Sequence, residues 1–166
     1  MRNQNQTDNK LQKGFTLIEI MVVVAIIALL SSIALIAAMS GQAKSRDAKR
    51  MGDMTQMNTG LNMYFSSFYG YPSTTGSPLG LVPAYTASLP NAPLPPDGTC
   101  GQINYPSPVP NSVMGGSYYY YPTGTEFLAP DGLTQVYPSY NYYFCLGAQT
   151  GNYSPGIHIL TPTGVQ

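Results

Sequence analysis

The feature that most constrains this chain is a predominantly apolar run from Ile20 to Met39, which a single carboxylate, Glu19, precedes. The run contains no Pro and no Gly, and about 20 apolar residues are enough to cross a bilayer as a helix. A carboxylate close to the end of such a segment costs about 2.5–3.5 kcal/mol even on the lenient insertion scales. Glu19 is therefore a candidate functional residue.

Conventional N-terminal segments explain the run only in part. A secretory signal has an apolar core of roughly 7–15 residues before its cleavage site; this core is longer, although Ala38-Met39-Ser40 could serve as the site. A plain transmembrane anchor fits the length, but it explains neither Glu19 nor the step Lys13-Gly14-Phe15. A lipoprotein signal is excluded because no cysteine precedes Cys100.

The stretch Lys13-Gly14-Phe15-Thr16-Leu17-Ile18-Glu19, after a short basic leader, resembles the N-terminal signature of type IV prepilins and type II secretion pseudopilins. The resemblance implies that a prepilin peptidase cuts after Gly14 and then N-methylates Phe15. It also implies that Glu19 compensates the positive N-terminus of a neighbouring subunit during filament growth. That role agrees with the tolerance of a buried charge mainly when it is paired.

Beyond residue 43 the apolar pattern becomes one-sided. Apolar side chains recur there at spacings of three and four, which predicts an amphipathic helix: Met51, Met54, Met57, Leu61, Tyr64 or Phe65, and Phe68. Gly70-Tyr71-Pro72 should end the helix, and up to that point the chain also resembles major pseudopilins without gaps. A continuous helix from Phe15 to Tyr69 would measure about 80 Å. A domain of this size cannot bury a helix that long, so about half of the helix must lie in lipid or against other subunits.

The C-terminal part has the composition of loops and strands. Residues 72–116 are rich in Pro, Gly, Ser and Thr, which favours a long irregular connection. Tyr-rich and β-branched segments follow, punctuated by turns, and predict strands at 117–121, 126–128, 133–137, 141–146 and 157–160. We expect an α+β, pilin-like fold in which a small antiparallel sheet packs on the amphipathic half of the helix. Its segments are a leader (1–14), a membrane or filament-core helix (15–39), an amphipathic half (40–71), a connecting loop (72–116) and a sheet region (117–166).

The cysteines and the charges point to an extracytoplasmic domain. Cys100 and Cys145 lack the spacing of a metal or redox site, and we expect them to pair in an oxidising compartment. From residue 54 onward there is no Lys or Arg, so this region has no electrostatic footprint for nucleic acid. The cluster from Lys44 to Asp53 is interpreted as a solvated or lipid-headgroup face.

No catalytic or metal site is expected. His158, the sole histidine, lies in an apolar strand and is interpreted as a structural residue. A calcium site, as major pseudopilins carry in a C-terminal loop, would need several oxygen ligands. Asp97, Glu126 and Asp131 could supply them only if the fold gathered them, so we expect no metal and no other cofactor. The tyrosines at 118–121 and 140–143 are assigned to packing and subunit contact in preference to sugar binding.

The resemblance implies a structural subunit of a type IV pilus-like or type II secretion pseudopilus filament, and not an enzyme. Its partners would be copies of itself, the prepilin peptidase, an inner-membrane assembly platform and, before assembly, membrane lipid. It would sit in the inner membrane with its C-terminal domain outside the cytoplasm, and then in a periplasmic pseudopilus or a surface pilus. The alternative is a monomeric, single-pass anchored binding module whose aromatic-rich sheet holds a ligand.

Overall fold

A computed structural model describes residues 14–166. Lys13 and nearly all of the expected leader therefore lie outside the described residues. The chain divides into two compact units between Met39 and Ser40. One helix, α1 (Leu17–Phe68), supplies the described residues of the first unit from position 17 onward and continues into the second.

Helix α1 is unbroken over 52 residues. No proline interrupts it, and its three glycines (Gly41, Gly52 and Gly60) cost only about 1 kcal/mol each in a helix interior. In the second unit the helix buries the predicted stripe, confirmed at Met54, Met57, Leu61 and Tyr64. Of the two aromatic candidates one turn after Leu61, Tyr64 is buried and Phe65 is exposed. The methionines pack in the core with the sheet tyrosines.

The sheet region forms two antiparallel sheets where one was expected. The first has the order β1-β4-β3, with β1 at Tyr71–Pro72, β3 at Phe127–Leu128 and β4 at Gln135–Tyr137. The second has the order β2-β5-β6-β7, with β2 at Tyr119–Thr123, β5 at Ser139–Leu146, β6 at Gly156–Thr161 and β7 at Gly164–Val165. Every predicted strand segment contains a strand, whereas the two-residue strands β1 and β7 were not foreseen.

Pro138 lies where the two sheets divide. It is the single residue between β4 and β5. The two segments do not continue as one strand, and each pairs with its own partners. β4 pairs with β1 and β3, while β5 pairs with β2 and β6.

The four-stranded sheet carries a packed layer on each face. Alternation along the strands sends Tyr120, Tyr142 and Leu160 into the main core, which also contains the helix residues. The opposite face carries Tyr119, Tyr121, Ile157 and others, which pack with Tyr105 and Val109 of the connecting loop. The loop that the composition indicated is therefore a cover for the outer face of the sheet.

The same loop is fastened to the sheet by a covalent bond. Cys100 and Cys145 form a disulfide with a Cα–Cα distance of 5.7 Å. Apart from a single turn of 3-10 helix at Leu79–Leu81 and isolated bridges, the loop has no regular structure. Closing a loop of 45 residues is worth roughly 4 kcal/mol in the chain-entropy model. The bond therefore supplies much of the stability that regular hydrogen bonding does not give this segment.

Candidate functional site

The expected cleavage step lies in the non-helical residues directly before α1. Gly14, Phe15 and Thr16 have no regular secondary structure, and α1 begins at Leu17. The Phe15 side chain is 80% exposed, and no heavy atom outside its neighbours lies within 4 Å of the point where a Cβ on Gly14 would stand. The segment is thus an exposed, irregular piece of backbone, the form in which a peptide bond is open to an enzyme.

Thr16 and Glu19 form a reciprocal cap at the start of α1. The backbone N–H of Glu19 donates to Thr16 Oγ1 at 3.3 Å, and the backbone N–H of Thr16 donates to Glu19 Oε2 at 3.5 Å. This is a capping box, in which each side chain satisfies one backbone donor that the first turn leaves unpaired. Sequence reasoning assigned Glu19 to charge pairing alone, although the Thr-x-x-Glu spacing was the available signal for the cap.

The first unit presents an apolar helical surface with no cover of its own. Every described residue from Gly14 to Ser40 is exposed, and α1 is long and apolar enough to span a membrane. Glu19 is the sole charged side chain on this surface between Phe15 and Ala43. Exposure of this many large apolar side chains to water is strongly unfavourable. The surface is therefore built for lipid or for other apolar helices.

In the second unit, two of the charges next to the apolar run are buried and do not belong to a solvated face. Asp47 is fully buried and Arg50 is 1% exposed, so the headgroup interpretation is wrong for both. They lie one turn apart and form an ion pair through Arg50 Nη1 and Asp47 Oδ1. Arg50 Nη1 also donates to Asp97 at 3.1 Å, and Nη2 donates to the Pro93 carbonyl at 3.0 Å. Desolvation is tolerated because each donor finds an acceptor.

Asp47 and Asp97 connect α1 to the two segments that the disulfide also joins, the connecting loop and the end of β5. Asp47 accepts hydrogen bonds from the backbone N–H groups of Gly147 (3.1 Å) and Ala148 (2.8 Å), just after Cys145. Asp97, just before Cys100, accepts from Arg46 Nε at 2.8 Å. These four side chains, Arg46, Asp47, Arg50 and Asp97, are called the ion cluster below. The cluster and the disulfide hold the same two segments, the connecting loop and the end of β5.

The ion cluster also fixes the charge state of Asp97. Hydrogen bonds from Arg46 hold its pKa below the ordinary value of 3.8, burial acts against this, and Arg50 lowers the pKa further. Asp97 is therefore an anion at neutral pH, committed to two guanidinium groups. It is not available as a metal ligand.

The other residues considered for calcium are not gathered by the fold. Asp131 accepts hydrogen bonds from Leu133 and Thr134 within its own turn, and Glu126 is exposed. Within residues 14–166, no group of three or more His, Cys, Asp or Glu side chains could hold a metal ion.

His158 is held by backbone carbonyls on both sides of its ring. Nε2 lies 2.8 Å from the Ser154 carbonyl oxygen and Nδ1 lies 3.2 Å from that of Gln166. The ring also packs on Phe144 and Tyr153. With both nitrogens engaged and the side chain buried, His158 serves the packing of the sheet, as the sequence indicated.

Comparison with known proteins finds a family model that matches the N-terminal segment and relatives that match most of the chain. Residues 9–35 match the family model described as the prokaryotic N-terminal methylation motif. The chain is 31% identical to the type II secretion system core protein G of Pseudomonas aeruginosa over 115 residues, which cover 69% of this chain and 77% of that protein. It is 31% identical to the core protein G of Klebsiella pneumoniae over 130 residues, covering 75% and 89%.

A shorter match, 37% identical over 75 residues, relates the chain to the core protein G of Escherichia coli, with 45% and 52% covered. No solved structure matches the chain significantly. All three relatives carry the same name, type II secretion system core protein G.

Proposed function

The chain belongs to the family of the type II secretion system core protein G, and we propose that it is a structural subunit of the pseudopilus filament of such a system. The single observation that carries the proposal is the register of the N-terminal segment. A candidate cut at Gly14 is followed by a capped helix start at Thr16–Glu19 and then by an apolar helical surface that is exposed up to Met39. Every part of that arrangement has a use in a filament that grows from a membrane.

In this proposal a prepilin peptidase hydrolyses the bond between Gly14 and Phe15 and then methylates the new amino group of Phe15. The cap closes the first turn of α1, which begins at Leu17. The new N-terminus, Phe15, therefore lies two residues before the helix. Glu19 carries the one negative charge in the apolar segment. A neighbouring subunit offers the positive N-terminus that offsets the cost of placing that charge in an apolar environment.

Before assembly, the apolar half of α1 is anchored in the inner membrane and the sheet region lies outside the cytoplasm. The length and exposure of the helix support the anchor, and the Cys100–Cys145 disulfide supports an oxidising compartment. During assembly the helix exchanges lipid for the helices of other subunits on an inner-membrane platform. The role is structural and not enzymatic, needs no metal or other cofactor, and does not involve nucleic acid.

Mass analysis of the mature protein tests the proposal. In a host with a prepilin peptidase, we expect the chain to begin at Phe15 and to carry the mass of one added methyl group. Gly14→Val should block the cut, because a side chain there prevents close approach of the backbone. The matched control is Gly41→Ala, which alters an exposed glycine inside α1, away from the expected cut, and should be processed normally.

An intact chain that begins at Met1 in that host would contradict the proposal and favour the monomeric anchored module. A chain that begins near Gly41 or Lys44 would contradict it in favour of a cleaved secretory signal.

A further inference from the structure

We propose that Lys44 of one subunit forms an ion pair with Glu126 of a second copy, beside an apolar rim on strand β3. The inference rests on the proposed function, because it names a contact between subunits of the filament. It begins from the partners of the charged side chains. In the described residues, every other charged side chain has a hydrogen-bonded partner within the chain.

Those partners account for the remaining charges one by one. Arg46 and Arg50 are bound to Asp97 and Asp47 within the ion cluster. Lys49 pairs with Asp53 at 2.9 Å. Asp131 closes its own turn, and Glu19 caps α1. Between residues 14 and 166 this leaves Lys44 as the one cation and Glu126 as the one carboxylate with no hydrogen bond or ion pair, and both are exposed.

Glu126 stands at the edge of an apolar surface. It directly precedes β3, whose two residues are exposed, and β3 is the edge strand of its sheet. Leu128 is 58% exposed and Leu133, in the turn after β3, is 86% exposed. Phe127, Leu128 and Leu133 are called the β3 rim. An exposed apolar rim beside two carboxylates, Glu126 and Asp131, suits a protein surface with a cation, and it does not suit anionic lipid, which would repel the carboxylates.

Lys44 stands on a part of α1 that another chain can reach. Gly41, which has no side chain, and Ala48, which has only a methyl group, lie about one turn before and after it, and both are exposed. Neither of these two residues shields the ammonium group. Among the described residues it is the one unpaired positive side chain that could meet Glu126.

The two groups are too far apart to meet within one subunit. The backbone at Gly70 touches Val136 of β4, and Val136 pairs with Phe127, so Glu126 lies near the C-terminal end of α1. From Lys44 to Phe68 the helix rises over 24 residues, which is about 36 Å. A polymer of one chain must join two different surfaces of that chain. A second copy displaced along the helix axis would bring Lys44 and Glu126 together.

A zero-length cross-linker tests the contact in filaments. A carbodiimide joins an amine to a carboxylate only where the two touch. We expect wild-type filaments to yield a chymotryptic peptide in which Lys44 and Glu126 are linked. Lys44→Arg keeps the charge but removes the amine, and Glu126→Gln removes the carboxylate, so neither variant alone should give this peptide. Coexpression of the two should restore it, because the link can then form only between subunits.

A charge exchange gives the second readout. Lys44→Glu and Glu126→Lys should each reduce filament yield by about two- to fivefold, the size of one exposed ion pair per contact, and the double exchange should restore it. Assembled wild-type filaments without the linked peptide would overturn the inference and leave the proposed function intact. So would a Lys44→Glu defect that Glu126→Lys does not relieve, since that result would indicate a lipid headgroup as the partner of Lys44. Failure of the wild type to assemble at all would overturn the proposed function as well.

Discussion

At the scale of single residues, the ion cluster shows how charges beside a membrane segment can serve a core. Asp47 and Arg50 are one helical turn apart and both are buried. Arg suits this position because its planar guanidinium spreads donors over several acceptors, here two carboxylates and the Pro93 carbonyl. Removing one partner from such a cluster leaves a buried charge uncompensated. The cluster therefore makes the stability of the second unit depend on charge state.

The first prediction concerns the acid sensitivity of Asp97. Its pKa is lower in the folded chain than the ordinary 3.8, so the unfolded chain binds the proton more tightly. The contribution of Asp97 to the free energy of unfolding is fully present above pH 3.8 and is lost as the pH falls through the lower folded pKa. We expect Asp97→Asn to lower stability at neutral pH and to make the dependence on acid shallower. Urea unfolding of the mature chain in detergent, at several pH values, measures both.

The matched control is Glu126→Gln, which changes the net charge by the same amount at an exposed position outside the ion cluster. It should leave the stability at neutral pH close to that of the wild type. If Asp97→Asn lost stability in acid as steeply as the wild type, Asp97 would not be the source of the acid sensitivity.

At the scale of elements, the junction between α1 and β1 differs from its expected chemistry. Gly70 was expected to end the helix as its C-terminal cap, but Tyr69 is the residue that takes a positive φ, of 57°. Gly70 is needed for a different reason. A Cβ on Gly70 would lie 2.5 Å from Val136 Cγ2 and 2.6 Å from Val136 Cβ. The glycine lets the end of the helix approach β4 closely enough for β1 to pair with it.

The second prediction follows from that approach. Gly70→Ala forces either the helix end or β4 to move, and we expect it to destabilise the chain by about 1–3 kcal/mol, as overpacking does. Gly52→Ala is the matched control, because Gly52 lies inside α1 with nothing within 4 Å of its added Cβ. It should instead stabilise by about 0.5–1 kcal/mol through helix propensity. Denaturant midpoints of the two variants should therefore move in opposite directions. If Gly70→Ala left the stability unchanged, the contact with Val136 would relax without cost.

Local pattern predicted the elements well, and contacts distant in sequence explain what it missed. The periodicity of Met54, Met57 and Leu61 identified the buried side of α1, since it depends only on the helix repeat. The burial of Asp47 and Arg50 depends on Asp97 and on Gly147, which no local pattern places beside them. The division into two sheets likewise depends on how partners pair on each side of Pro138. The capping box at Thr16 and Glu19 depends on local spacing alone, so it was predictable from the sequence.

At the scale of the whole molecule, the cap seen at Glu19 and its proposed pairing with a second subunit are two separate roles in filament growth. Its side chain caps α1 within the same subunit, and in the proposed filament its charge pairs with the N-terminus of another subunit. A cap contributes about 1 kcal/mol to the start of a helix. An unpaired carboxylate in an apolar filament core would cost several times more. Because the cost of the unpaired charge exceeds the contribution of the cap, we expect the charge to govern assembly and the cap to have only a small effect.

The third prediction separates the two contributions with three variants. Glu19→Gln keeps an acceptor that completes a capping box but removes the charge, and we expect processing at Gly14 to continue while filament yield falls sharply. Thr16→Ala breaks the cap and keeps the charge, so we expect a small loss of yield. Glu19→Ala removes both and should resemble Glu19→Gln. Filament yield after shearing, measured beside the fraction of chains that begin at Phe15, distinguishes assembly from processing. If Glu19→Gln assembled normally while Thr16→Ala and Glu19→Ala did not, helix capping would be the function of Glu19 and the partner subunit would need no carboxylate.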